Sequence, residues 1–215
     1  MKRVPKSLLK EWSIIGGLSS PSKMPCFSFS TPAKECKTGS KLRKVKGTVC
    51  SRCYAFRGYY QMPNVRNALA KRYANLYHPE WVAAMTTLIG NMESSGYMRF
   101  FDSGDIDSLL NLENINQVAL NLPHIKFWVP SKEYQIVSDF IKKHGKFAPN
   151  LFVRLSAYIE DGPPPTQLAE RFNLTTSTVV SDGTHTCPAS NQDNFCLNCR
   201  ACWNPEVKNV AYKKH

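Results

Sequence analysis

Eight cysteines are the residues of this chain best suited to chemistry, and they fall into two groups of four. The C-terminal group is Cys187, Cys196, Cys199 and Cys202, with the spacing C-x8-C-x2-C-x2-C. Three thiolates at two-residue gaps suit three corners of an iron–sulfur cubane, with a fourth ligand from elsewhere in the chain. Cys187 is near enough in sequence to be that ligand. The spacing therefore predicts a [4Fe–4S] cluster here, with a tetrahedral zinc site as the weaker alternative.

The N-terminal group is less regular. Cys26, Cys36, Cys50 and Cys53 are separated by nine, thirteen and two residues, so only the last two form a C-x2-C pair. This group suits a second iron–sulfur site, a zinc site with four cysteine ligands, or partial use in which Cys26 or Cys36 completes the C-terminal site. Because the cysteine counts divide evenly, the sequence favours two separate four-cysteine sites over one shared site.

Metal binding is a better prediction for these thiols than disulfide formation. The basic N-terminus has an apolar stretch that Lys10 and Glu11 interrupt before it reaches the length of a secretory signal. We therefore expect a reducing cytoplasm, in which cysteines stay free for metal.

The composition excludes a wholly disordered chain, because 11% of the residues are aromatic. No apolar run approaches the roughly 18 residues of a membrane span, so we expect no membrane partner.

Positive charge is concentrated in the first third of the chain. Residues 1–72 hold 16 Lys and Arg against 2 acidic residues, whereas residues 73–215 hold 12 against 14. The segment Lys34–Lys46 suits nucleic acid or another acidic partner, cations that stabilise a nearby anionic metal–thiolate centre, or a solvated basic loop. A zinc-stabilised nucleic-acid-binding protein is accordingly one hypothesis for the function.

The elements that must position the cysteines show a strand–helix repeat. Apolar runs of strand length occur at Tyr97–Phe101, Ile125–Val129, Leu151–Leu155 and Thr176–Val180. Helical periodicity occurs at Asn64–Tyr77, from Pro79 to Met92, and at Ser108–Leu122, Glu133–His144 and Thr166–Phe172. Successive βα units of this length form a parallel sheet.

The predicted fold class is therefore α/β, as a partial or rearranged (β/α) TIM-barrel-like fold or as an open doubly wound sheet. Further strands must come from the N-terminal segment, where Trp12–Ile15 and Met24–Ser30 are the candidates. We expect a single domain over residues 1–215. It comprises a basic cysteine-containing segment (1–63), the βα repeats (64–180) and a cluster-binding tail (181–215).

Polar side chains follow the predicted strands, at the edge where parallel α/β folds bind their ligands. Asp102, Ser103 and Asp105 follow the first strand, Lys132 follows the second, and Arg154 ends the third. These five residues are the predicted cofactor-binding residues. Ser and Asp are also favoured as helix caps, and for Asp102 and Asp105 the two interpretations are level.

Three motifs together resemble the phage gene-product-88 family. They are CxxCYA at Cys50–Ala55 followed by Arg57-Gly58-Tyr59, SGD at Ser103–Asp105, and CP…CxxCxxCW from Cys187 to Trp203. The resemblance implies a phage-encoded iron–sulfur protein on a TIM-barrel-like fold, in the cytoplasm of the infected bacterial host or in the virion. Electron transfer or cluster-based sensing is the function that we expect first.

A more remote resemblance concerns Cys50, Cys53 and Tyr54, which are similar to the end of the CxxxCxxC loop of the radical S-adenosylmethionine (SAM) superfamily. That loop holds a [4Fe–4S] cluster whose fourth iron stays open to chelate SAM. Here thirteen residues, not three, separate Cys36 from Cys50. If all four N-terminal cysteines bind metal, SAM chemistry is excluded, and if three do, it is allowed. A radical-SAM-like enzyme with a cluster on Cys36, Cys50 and Cys53 is the alternative function.

Overall fold

Parallel strands that neighbour one another in chain order form the centre of the fold. The structure is a computed structural model and describes residues 4–214. Within these residues each strand pairs in parallel with the next strand along the chain. The strands are β1 (Ser28–Phe29), β2 (Tyr97–Phe100), β3 (Lys126–Ser131), β4 (Leu151–Ser156), β5 (Thr175–Val180) and β6 (Asn209–Lys213).

This strand order distinguishes between the two predicted architectures. A doubly wound sheet reverses its strand order at a switch point, and the order β1 to β6 contains no reversal. The doubly wound alternative is therefore wrong, and the sheet has the order of a (β/α) barrel. In residues 4–214 β1 and β6 are not hydrogen-bonded to each other, so the sheet stays open between them.

Helices connect most of the strands. They are α1 (Leu9–Ile15), α2 (Lys37–Leu42), α3 (Pro63–Ala74), α4 (Trp81–Met92), α5 (Leu109–Asn121), α6 (Tyr134–His144) and α7 (Thr166–Arg171). The described connection from β5 to β6 has no α-helix and instead contains short 3-10 turns at Pro188–Asn191 and Ala201–Trp203. That connection carries the four C-terminal cysteines.

The sequence predicted the strand–helix repeat correctly, and the structure adds two corrections in the segments around it. The four central strands and the helices α3 to α7 lie where the periodicity predicts them, within a few residues at each end. Met24–Ser30 contains β1, as expected. Trp12–Ile15 is wrong as a strand because it is the second half of α1, and β6 was not predicted.

The two faces of the sheet differ in character because side chains alternate along a strand. Phe100, Phe127 and Val153 point to the helix side, where they join the main apolar core with residues of α4, α5 and α6. The alternate positions point to the inner face and include Arg99, Trp128 and Arg154. The inner face is thus the part of the sheet that carries buried charge.

None of the helices in residues 4–214 has both the length and the apolar character needed to cross a membrane.

Candidate functional site

The structure divides the cysteines unevenly, five and three, and at opposite ends of the sheet. Cys26 lies at the amino-terminal end of β1, packed in one cluster with Trp203, Cys196 and Cys202. The remaining N-terminal cysteines follow β1 and lie at the carboxyl ends of the strands. We define the five-thiol group as Cys26, Cys187, Cys196, Cys199 and Cys202, and the three-thiol group as Cys36, Cys50 and Cys53.

Backbone hydrogen bonds to both flanks of the sheet hold the five-thiol group. The N–H of Cys187 donates to the carbonyl of Ala211 in β6 at 2.9 Å, and the N–H of Cys196 donates to the carbonyl of Lys23 at 2.8 Å. The Cys202 sulfur lies 3.1 Å from the Tyr212 hydroxyl. One small cavity is lined by four thiols of the group, those of Cys187, Cys196, Cys199 and Cys202. Trp203 and Val210 also border this cavity.

Arg154 fixes the loop that carries these cysteines. Its side chain is fully buried on the inner face of β4. The guanidinium donates at 2.7 to 3.2 Å to five backbone carbonyls, those of Thr176, Ala201, Cys202, Asn204 and Val207. The sequence predicted Arg154 as a cofactor-binding residue. In the structure, its guanidinium nitrogens donate to backbone carbonyls of the protein instead. The residue therefore holds residues 201–207 against the sheet.

Burial raises the pKa of three thiols of the five-thiol group. Burial raises the pKa of Cys26 to about 12 and that of Cys202 to about 11. Burial also raises the pKa of Cys196. Because thiolates are the metal-binding form, a metal that binds here must displace protons.

The three-thiol group is arranged around the start of α2. Cys36 directly precedes α2, and Cys50 lies in a 3-10 turn, Val49–Arg52. A Cβ built on Gly39 would lie 3.6 Å from the Cys50 sulfur and 3.7 Å from the Cys36 sulfur. The same Cβ would lie 3.0 Å from the Cβ of Cys36, so Gly39 packs closely against two of the three thiols and leaves little room for a side chain.

The loop of the three-thiol group is tied to the sheet at two points. The N–H of Val49 donates to the carbonyl of Tyr158 at 2.9 Å, which anchors the turn that contains Cys50. Glu133, two residues after the end of β3, accepts from the N–H of Thr38 at 2.8 Å and from its hydroxyl at 2.7 Å. These bonds hold α2, and with it Cys36, over the carboxyl ends of β3 and β4.

Four of the five predicted cofactor-binding residues lie at the same rim as the three-thiol group. Asp105 accepts from the Ser131 hydroxyl at 2.6 Å and from the N–H of Lys132 at 2.9 Å. Burial raises the pKa of Asp105 to about 6, although these two hydrogen bonds oppose the shift. The pKa of the Cys36 thiol is raised first by burial and second by the negative charge of Asp105. The side chains of Asp105 and Cys36 are therefore close to each other.

Asp102 and Ser103 complete this rim. Asp102 accepts from the Tyr60 hydroxyl at 2.8 Å. The hydroxyl oxygen of Ser103 is buried and has no hydrogen-bond partner among the residues that the structure describes. Gly104 between them and Asp105 has a φ of +84°, and a Cβ there would lie 2.0 Å from the Thr31 hydroxyl oxygen. Only glycine is compatible with this turn.

Sequence reasoning missed several residues of the two sites. Glu133 directly precedes α6, a position that predicts a helix cap rather than an anchor for α2. Tyr54 follows Cys53, is 47% exposed, and donates its hydroxyl to the carbonyl of Asp102. Arg99 lies within a short apolar run, and only the alternation of the strand could have indicated that it faces inward.

The donor set restricts which metal the thiols could hold. In residues 4–214 no group of three or more His, Cys, Asp or Glu side chains is arranged to hold a single metal ion. The donors at both groups are thiols, and those of the five-thiol group line a cavity. Thiolate donors suit iron–sulfur clusters and zinc.

The basic segment Lys34–Lys46 lies on the surface around α2. Most of its cations are exposed, although Lys37 forms an ion pair with Asp107 at 3.8 Å and Arg43 stacks on Phe56 at 3.6 Å. An acidic partner for this segment stays a prediction.

Comparison with known proteins gives one match. The family model described as Gene product 88 matches residues 6–182, which is more than half of the chain. The matched region includes Cys26 and the three-thiol group and ends before Cys187. No curated protein and no solved structure matches the chain.

Proposed function

The chain belongs to the phage gene product 88 family, and we propose that it is an iron–sulfur protein with one [4Fe–4S] cluster at each thiol group, acting in the cytoplasm of the infected host. The observation that carries the proposal is the gathering of all eight cysteines at two places, one of them a cavity lined by four thiols. Thiols collected in this way serve metal binding in a reducing compartment far more often than packing.

Cluster binding agrees better with the spacing of the thiols than zinc binding does. A tetrahedral zinc site with bonds of about 2.3 Å needs sulfurs roughly 3.8 Å apart. Cys196, Cys199 and Cys202 instead follow one another along the chain at two-residue gaps. A cubane is a wider object and takes its ligands at larger separations. This difference favours iron–sulfur clusters over the zinc-stabilised nucleic-acid-binding alternative.

At the five-thiol group, we assign ligation to the four thiols that line the cavity: Cys187, Cys196, Cys199 and Cys202. Cys26 lies behind them and packs against Trp203. Trp128 and Trp203 are both buried, with ring centroids 5.4 Å apart, and exclude water from this side of the site. A cluster with four thiolate ligands has no open iron, so its role is electron transfer or sensing.

The three-thiol group favours a second function, that of a radical-SAM-like enzyme. Cys26 lies at the other end of the sheet, and three thiols leave one iron of a cubane without a protein ligand. Cys36, Cys50 and Cys53 would hold such a cluster, which would supply the electron for reductive cleavage of SAM. The rim residues Asp102, Ser103, Asp105 and Lys132 would then bind the polar groups of SAM, and the buried Ser103 hydroxyl is free to donate.

Metal analysis of protein purified without oxygen tests the first function. We expect about eight iron and eight sulfide per chain, and about half of each in Cys199→Ser and in Cys53→Ser, since each removes a ligand from one cluster. Lys41→Ala, which changes an exposed cation near the three-thiol group, should keep the full iron content. Colourless protein that contains zinc and no iron would refute the proposal.

Product analysis tests the second function separately. Reduced protein incubated with SAM should form 5′-deoxyadenosine, and Cys53→Ser should not. If protein with full iron content forms no 5′-deoxyadenosine, the enzyme proposal fails while the iron–sulfur proposal stands.

A further inference from the structure

Arg99 lies on the inner face of β2, midway between the two thiol groups. Toward the amino-terminal end of the sheet, its Nη1 contacts the Met24 sulfur at 3.6 Å, and its guanidinium stacks on Trp128 at 4.5 Å. Met24 and Trp128 belong to the same packed cluster as Cys26, Cys196 and Cys202. The guanidinium is therefore adjacent to the five-thiol group.

The other side of Arg99 faces the three-thiol group. Its Nη2 donates to the carbonyl of Phe101 at 3.2 Å, one residue before the polar rim. The guanidinium also acts electrostatically on Asp102 and on Tyr54, the residue that follows Cys53. One side chain thus connects the surroundings of both thiol groups.

In residues 4–214 Arg99 forms no direct ion pair. The Asp102 carboxylate acts on its guanidinium only from beyond ion-pair distance. The Nε of Arg99 is buried and has no hydrogen-bond partner in the same residues. A partly buried cation with an unused donor is stabilised by an anion in direct contact. Metal-bound thiolates at the five-thiol group would be such an anion.

We propose that Arg99 is a positioning residue that raises the reduction potential of the cluster at the five-thiol group. The proposal rests on the iron–sulfur function proposed above. Reduction adds one negative charge to a cluster that thiolates already make anionic, and a cation held next to it stabilises the reduced form. The Nε–H of Arg99 is a buried donor that has no hydrogen-bond partner in the described residues and would be available to such a charge. The proximity agrees with the electrostatic effect of Arg99, which lowers the pKa of Cys26, Cys196 and Cys202 against the larger effect of burial.

A redox titration followed by electron paramagnetic resonance tests this role, with iron content measured on the same samples. In Arg99→Gln, reduction of the five-thiol cluster should become at least tenfold less favourable, a drop in potential of about 59 mV or more for one electron. Arg99→Lys keeps the charge and should recover part of the potential. Arg66→Gln is the matched control, because it removes the same charge from an exposed position on α3 and should leave the potential unchanged.

The outcomes separate this proposal from the iron–sulfur function. If the wild-type protein contains no iron, both fail. If Arg99→Gln keeps its iron and its potential, or if Arg66→Gln shifts the potential equally, the role of Arg99 alone is overturned. Should Arg99→Gln not accumulate in folded form, Arg99→Met, which keeps the apolar stem against Trp128, replaces it with the same expected drop.

Discussion

Replacement of Arg154 by methionine should strongly destabilise the protein through the loop that carries the C-terminal cysteines. The substitution keeps a long side chain but removes the donors to five backbone carbonyls on a fully buried surface. A lost hydrogen bond that leaves a buried acceptor unpaired costs at least about 1 kcal/mol. Five unpaired carbonyls at this cost lead to an expected loss of about 5 kcal/mol, out of a total of about 5–15 kcal/mol for a typical protein.

Urea-induced unfolding followed by circular dichroism measures this loss. Arg66→Gln, an exposed position on α3, is the control and should change the free energy of unfolding by less than about 0.5 kcal/mol. Because Arg154 orders residues 201–207 and thereby Cys202, Arg154→Met should also lose iron from the five-thiol group. A loss of stability below about 1 kcal/mol would refute the inference that these five hydrogen bonds hold the loop.

Two further predictions concern the rim that carries the three-thiol group. Gly39→Val should reduce iron at this group but not at the five-thiol group, because its Cβ would lie 3.0 Å from the Cβ of Cys36 and the side chain would displace Cys36 and Cys50; unchanged iron per chain would contradict the placement of a cluster there. The second concerns Asp105, whose pKa burial raises to about 6 from 3.8 in the unfolded chain. Its stabilising contribution is thus present below pH 4 and lost as the pH rises through 6. Urea unfolding between pH 4 and pH 7 should show this decline in wild-type protein and not in Asp105→Asn; the same decline in both would contradict it.

The repeat at the centre of the fold could be predicted because its strands are apolar runs with helices of clear periodicity between them. The edges of the sheet could not. Trp12–Ile15 is a short apolar run, which periodicity alone does not assign to helix or strand; in the structure it completes α1, which ends at Gly16 with a φ of +76°. Strand β6 contains Asn209 and Lys213 at its ends and is flanked by polar residues, so its sequence lacks the apolar run of a buried strand.

The grouping of the cysteines depended on an element that the sequence indicates only weakly. Strand β1 has two residues, Ser28 and Phe29. Since all strands are parallel, a residue before β1 lies at the amino-terminal ends of the strands, and residues after it lie at the carboxyl ends. Cys26 is thereby separated from Cys36, although the two are close in sequence. The spacing of the cysteines along the chain therefore does not show by itself which thiols lie together. The position of β1 is needed as well.

The loop that carries the five-thiol group is hydrogen-bonded at both edges of the sheet. Strands β1 and β6 are the two edges of the sheet, and both are bonded on their outer sides, Ser28 of β1 to Ser19 and Ala211 of β6 to Thr186 and Cys187. The segment that leads into Cys187 bonds to β6 through Ala211, and Cys196 bonds to Lys23 in the segment that precedes β1. The thiols that we propose as ligands of one cluster therefore lie on a loop in contact with both flanks of the open sheet. A cluster bound there would connect the two flanks across the opening between β1 and β6, and its loss should loosen the contact of the loop with the sheet.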